Sequence, residues 1–289
     1  MQIQRVLVPV DLNKGYRAMA PVTRRMFDRR NFEIVILHVI EEQLRSLRGN
    51  EVERAMSQME FLARKEFGTA HVRRRVERGR AADCIIDYAR THAVDVIVMP
   101  AGGLTSLRRG QLGHVSEDVL LGAQCAVWME WMSGSVEHVR QICCPVRLDD
   151  TGLDGARFDE SNAAVLQRAG ELARDLEASV TMVCALSAHP RKAAEFIWNP
   201  ALREREIRLA RARVEALRDQ YVPSAEVHIQ VGDVSSVVSQ VLHRMNSGLL
   251  VAAGQGEAKL AAEMDCPVLR IARPMATAPA IAQAAGRLA

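Results

Sequence analysis

Two apolar runs in this chain frame a stretch whose residue types suit anion binding. Val96-Ile-Val-Met-Pro-Ala-Gly-Gly is followed, after Leu104 to Leu112, by Gly-His-Val-Ser-Glu-Asp-Val-Leu-Leu. Gly102 and Gly103 open backbone conformations closed to other residues, and Gly113 stands ten positions after Gly103, where a helix can begin. Free amides at a helix N-terminus, joined by backbone without side chains, point partial positive charge at an anion and can cradle phosphate. The same glycines could equally serve turn geometry alone. Asp11 is the second candidate. It ends Arg5-Val-Leu-Val-Pro-Val-Asp, and a carboxylate beyond the carboxyl end of a strand can accept hydrogen bonds from a base or a ribose. Its competing role is to cap a helix over residues 15–29. His38, near the end of an apolar run over 32–40, has no carboxylate or nucleophile placed to work with it and reads as structural.

Other chemistries find little support. There is no P-loop lysine, no metal-ligand cluster and no nucleophile with a base partner, so ATP hydrolysis would be at most slow and incidental. Six cysteines, at 84, 125, 143, 144, 184 and 266, show no paired ligand spacing and read as buried, reduced thiols. His71-Val-Arg-Arg-Arg-Val-Glu-Arg-Gly-Arg is the densest basic run, but its alternation is that of an edge strand and no aromatic residues interleave for base stacking. A net charge of +3 over 289 residues gives nucleic-acid binding no further footing. No apolar run reaches the ~20 residues that span a bilayer, and the N-terminus leads straight into a strand, so a cytoplasmic protein without membrane contact is expected.

The elements that must position these residues repeat. The first half reads as a strand over 5–12, a second strand over 32–40, and a helix over 41–67 with Val52, Met56, Met59 and Leu62 on one face. An edge strand over 71–79 and a helix over 81–92 then lead to the glycine stretch. Cys125-Ala-Val-Trp-Met-Glu-Trp closes the unit as an edge strand, where Trp128 and Trp131 either cover a contact with a neighbouring sheet or pack as ordinary core. After Met132-Ser-Gly-Ser-Val-Glu, Gln141-Ile-Cys-Cys-Pro-Val-Arg-Leu restarts the pattern in register with Arg5 to Leu12. Helices over 162–177, 200–220 and 234–245 alternate with strands over 179–186, 226–232 and 248–254. The expected domains are 1–134 and 135–275, followed by an alanine-rich tail over 276–289.

The copies differ where chemistry would occur. Asp11 is matched by Arg147, which exchanges an acceptor for a donor. Gly103 precedes Cys125 by twenty-two positions, whereas Gly256 precedes the matching Cys266 by ten. Only the first half keeps the long glycine loop, so the fold itself does not need that loop.

Two copies with Val-Pro-Val-Asp at the first strand, a Gly-x9-Gly loop after the fourth and a Cys-Pro-Val final strand resemble a tandem universal stress protein, over residues 3–273. The resemblance implies two open five-stranded parallel sheets with helices on both faces, related by a pseudo-two-fold axis. It also implies final strands that pair across the domains, in a monomer or a homodimer of it. ATP or AMP would lie over the ends of the first and fourth strands, with Mg2+ only alongside ATP. The positions implied are Pro9, Val10, Asp11, Val39, Met99, Gly103, Gly113, His114 and Val115. Two departures stand out: Pro100 replaces the loop's first glycine, with fixed φ and no amide donor, and His114 replaces its hydroxyl residue. The family also has a branch without nucleotide, so a protein-interaction scaffold in stress response is the alternative to an adenine-nucleotide sensor.

Overall fold

A computed structural model describes residues 3–12, 32–41, 50–67, 72–101, 112–130, 139–148, 155–186, 198–245, 248–253, 260 and 266–271, the side chains of 155–158 excepted. The first half contributes β1 (Arg5–Val10), β2 (Glu33–Ile40), α1 (Glu51–Phe67), β3 (Val72–Arg78), α2 (Ala81–Thr91), β4 (Val96–Pro100), α3 (His114–Gly122) and β5 (Ala126–Glu130). The second contributes β6 (Gln141–Pro145), α4 (Gly155–Leu176), β7 (Ser179–Leu186), α5 (Pro200–Tyr221), β8 (Glu226–Val231), α6 (Val234–Arg244), β9 (Gly248–Ala253) and β10 (Val268–Ile271).

The strands form one ten-stranded sheet in the order β3-β2-β1-β4-β5-β10-β9-β6-β7-β8. Each half is a five-stranded parallel sheet, and the two join edge to edge through the antiparallel pair β5 and β10, with Leu269 beside Trp128. Continuous apolar runs such as Val6 to Val8 and Leu249 to Val251 are what a strand covered on both faces requires. One face packs Met59 of α1, Leu166 and Ala169 of α4 and Val214 of α5 against Val8, Ile36 and Val251. The other packs Ile85 of α2, Val119 and Leu120 of α3 and Val238 of α6 against Leu7, Leu37 and Leu250. Equivalent helices thus lie on the same face, as a two-fold axis normal to the sheet demands, and the carboxyl ends of the two parallel halves point in opposite directions.

β5 does end the first half's own sheet, as expected, and there it pairs with β10 of the second half; Trp128 is 2% exposed with its Nε1 donating to Glu130 Oε1 at 2.8 Å. Several boundaries differ from the sequence expectation. The described part of α1 begins at Glu51, with Glu41 outside any helix, and Val52 is exposed because the buried stripe runs through Ala55, Met59, Leu62 and Ala63. α4 begins at Gly155, seven residues before the expected start. Cys143, Cys144 and Cys184 are buried, whereas Cys84, Cys125 and Cys266 are half-buried, and none of the six is in a disulfide. The expected helix over 15–29, Trp131, the linker and the tail lie outside the described residues. Among the described residues, no helix is long and apolar enough to cross a membrane.

Candidate functional site

Three elements of the first half meet at one end of the sheet. β1 and β4 run in parallel with Val6 beside Val96 and Leu7 beside Ile97. Val10 and Pro100 are the last residues of these two strands. α3 then starts at His114 in front of these ends. This is where an open α/β sheet receives ligands, because the loops there diverge and leave a crevice.

The end of β1 is fixed by β2. His38 is buried, and its Nδ1 lies 3.0 Å from the carbonyl oxygen of Val10. A carbonyl can only accept, so Nδ1 carries the proton of that bond. Asp11 follows directly as an exposed residue. Pro9 is half-buried and Val10 is buried. Val39 and Met99 belong to the core on the α3 side of the sheet, and Val115 packs against that core. Val39, Met99 and Val115 thus lie on one face of the sheet.

The start of α3 is anchored from behind. Gly113 takes an extended conformation, φ −69° and ψ 147°, and supplies no capping side chain. Its amide donates to the Ala101 carbonyl at 3.1 Å, the Ala101 amide donates to the Glu130 carbonyl at 2.8 Å, and Ser116 Oγ donates to the Pro100 carbonyl at 2.9 Å. These bonds tie the base of the glycine loop to the ends of β4 and β5. His114 opens the helix as an exposed residue, and without a side-chain cap the first-turn amides face outward with the positive end of the helix dipole. Glu117, also in the first turn, offsets part of that field. Gly103 lies outside the described residues.

The equivalent end of the second half is built differently. The buried Asn162 of α4 accepts from the Arg147 amide at 3.2 Å and donates to the Arg147 carbonyl at 2.8 Å. The backbone at the position matching Asp11 is thereby closed by the protein itself. Among the described residues no group of three or more His, Cys, Asp or Glu side chains could hold a metal ion.

One feature of the site escapes a reading of the sequence: Ser116 reaches back to Pro100. A signal for it was present, since a hydroxyl in the first turn of a helix commonly seeks a nearby carbonyl. His38 is structural, as the sequence implies, and braces the end of β1.

Comparison with known proteins agrees with this architecture. Residues 2–129 match the universal stress protein family. No curated protein matches the chain. Among solved structures, a functionally unknown protein from Pseudomonas aeruginosa PAO1 superposes with a TM-score of 0.66 at 14% identity, over 93% of this chain and 92% of that one. A universal stress protein from Archaeoglobus fulgidus DSM 4304 superposes with a TM-score of 0.64 at 16% identity, over 95% of this chain and 100% of that one. A putative universal stress protein from Pseudomonas aeruginosa UCBPP-PA14 gives 0.62 at 13% identity, over 93% of each chain. At these identities the likeness is one of fold, and it extends across both halves.

Proposed function

We propose that this chain, whose N-terminal half over residues 2–129 is a universal stress protein domain, binds adenine nucleotide, ATP or AMP, at the crevice between Asp11 and the start of α3, and acts as a sensor of it. The observation that carries the reading is the start of α3. An N-terminus with no capping side chain is held against the ends of β4 and β5 by Gly113 and Ser116, on the same side of the sheet as Val39 and Met99. In this reading the amides of His114 and Val115 meet the phosphates, with glycine amides of the loop around Gly103 completing the cradle. Val39, Met99 and Val115 offer the apolar wall for the adenine, and Asp11 accepts from the base or the ribose. Mg2+ would enter only with the phosphates of ATP. Any hydrolysis is slow and incidental, since no nucleophile is paired with a base in the sequence.

Isothermal titration with ATP and AMP tests this directly, on the parent protein and on Gly113→Trp and Asp11→Ala. Binding by the parent that is lost on filling the space at Gly113 and weakened without the Asp11 carboxylate is the expected result. A parent protein that takes up neither nucleotide overturns the reading, and affinity that survives both substitutions moves the site elsewhere.

A second reading, a protein-interaction scaffold, draws on Trp198 and Leu209 at α5, which are 85% and 52% exposed. Large apolar side chains left in water favour contact with another surface. Under that reading Trp198→Ala abolishes an association that nucleotide does not affect.

A further inference from the structure

We infer that Arg270, on the last strand of the second half, is a positioning residue for the phosphate end of the first half's site, acting through helix α3. The inference rests on the nucleotide reading above and names a control that reading lacks. Arg270 lies on β10 beside Val127, and its side chain is 7% exposed. Its Nη2 donates to the Ala123 carbonyl at 2.7 Å and to the Cys125 carbonyl at 3.1 Å. Ala123 directly follows α3, and its amide still bonds to Val119 within the helix. A guanidinium here meets the unpaired carbonyls and the negative dipole end of the helix whose opposite end faces the crevice. α3 has nine residues, so the two ends are about 13 Å apart and the helix moves as one short rod.

The fold does not ask for arginine at this place. Aligning Cys125-Ala-Val-Trp-Met with Cys266-Pro-Val-Leu-Arg puts Met129 of the first half opposite Arg270 of the second, and Met129 is fully buried. An apolar residue thus suits the strand, while a buried guanidinium costs desolvation, with its Nε left unbonded among the side-chain atoms buried here. The asymmetry has a direction. The half that keeps the long glycine loop receives the arginine from its partner domain, while the matching strand position of the first half is the methionine beside Val268. With Gly113 and Ser116 tying the start of α3 to β4 and Arg270 holding its end, the helix is clamped at both ends, and the second clamp belongs to the other domain. The second half thereby takes part in the first half's ligand site without touching the ligand.

The test compares Arg270→Met, which copies Met129, with Arg270→Lys, which keeps a cationic donor. ATP and adenosine are titrated into each protein, and amide hydrogen exchange is followed over α3. The expected result is that R270M weakens ATP ~5-fold while adenosine, which lacks phosphates, changes little, that α3 exchanges faster, and that R270K restores most of both. Equal losses for ATP and adenosine with no rescue by lysine would reduce Arg270 to a general stabiliser and overturn the inference. Unchanged ATP affinity and unchanged exchange in R270M overturn it as well. A parent protein that binds no ATP overturns the nucleotide reading first and the inference with it, a result separable from the others because the parent is titrated first. If R270M does not fold, R270K against Arg270→Gln carries the same comparison.

Discussion

Asn162 grips the backbone of Arg147 from both sides, accepting from its amide at 3.2 Å and donating to its carbonyl at 2.8 Å. The side-chain amide of α4 thus replaces a further strand partner just past the end of β6, so this part-buried backbone stays satisfied. Asn162→Ala removes both bonds from this part-buried backbone. Urea unfolding should show a loss of about 2 kcal/mol. Because the clamp sits at the opposite end of the sheet from Asp11, ATP affinity should be unchanged in the same variant.

Gly79 and Gly232 close β3 and β8 in the same way, just before α2 and α6. Gly79 has φ +142°, a conformation that side chains rarely adopt, and a Cβ there would lie 3.0 Å from Cys84 Sγ. Gly79→Ala combines backbone strain with that close contact and should cost about 1–3 kcal/mol in a denaturant titration. A wild-type midpoint in Gly79→Ala would show that the turn relaxes freely.

At the junction of the halves, Trp128 is buried and donates to Glu130 from the same strand at 2.8 Å. Trp128→Phe keeps most of the ring packing but takes one donor from a buried carboxylate. The expected loss is about 1–3 kcal/mol, measured by thermal or urea unfolding. Since β5 and β10 unite the sheet, the transition should stay single in the parent and lose its coincidence between probes in the variant if the junction loosens first.

How far the sequence foretold this molecule follows from which signals are local. Apolar strands such as Ile34 to Val39 and the Pro9 and Pro145 register carry the fold class and the repeat, because a strand buried on both faces leaves a continuous imprint. The place of β5 within the sheet was less legible from its own residues. An interior strand and an edge strand differ in what lies beside them, and Trp128 suits both. Val52 illustrates another limit: its spacing fits the α1 stripe, yet it lies at the helix end where the core has run out. In the site, Asp11 and Gly113 stand out by residue type and position. The contributions of His38, Ser116 and Arg270 arise from contacts with residues 28, 16 and 147 positions away, which no spacing rule encodes.

Cys125 gives the protein a signature at high pH. Burial pushes its thiol from 9.0 up to about 11, with the nearby Arg270 charge opposing the rise. In the unfolded chain the thiol loses its proton near the ordinary value, whereas the folded chain keeps it, so the folded state binds more protons between these limits. Stability therefore falls as pH rises from about 9 towards 11 and is unaffected by this group below that window. Urea titrations across the interval should show a shallower fall in Cys125→Ala. Alkylation of Cys125 in the native protein should likewise remain slow at pH 8 and accelerate steeply above pH 10, since the thiolate is the reacting form.

Ser116 and His114 sit in the same turn and should separate anchoring from ligand contact. Ser116 is buried and turned back to Pro100, so Ser116→Ala frees the start of α3 from β4. About 1 kcal/mol of stability should be lost, with ATP affinity falling a few-fold because the helix N-terminus is less well held. His114 is exposed and occupies the first helical position, where the proposed phosphates would meet it. His114→Ser exchanges a bulky ring for a compact hydroxyl donor. It should leave the unfolding midpoint in place and tighten ATP, as a calorimetric titration would read. Weaker binding in His114→Ser would instead make the imidazole itself a phosphate donor. An unchanged affinity in both variants would mean that phosphates do not approach this turn at all.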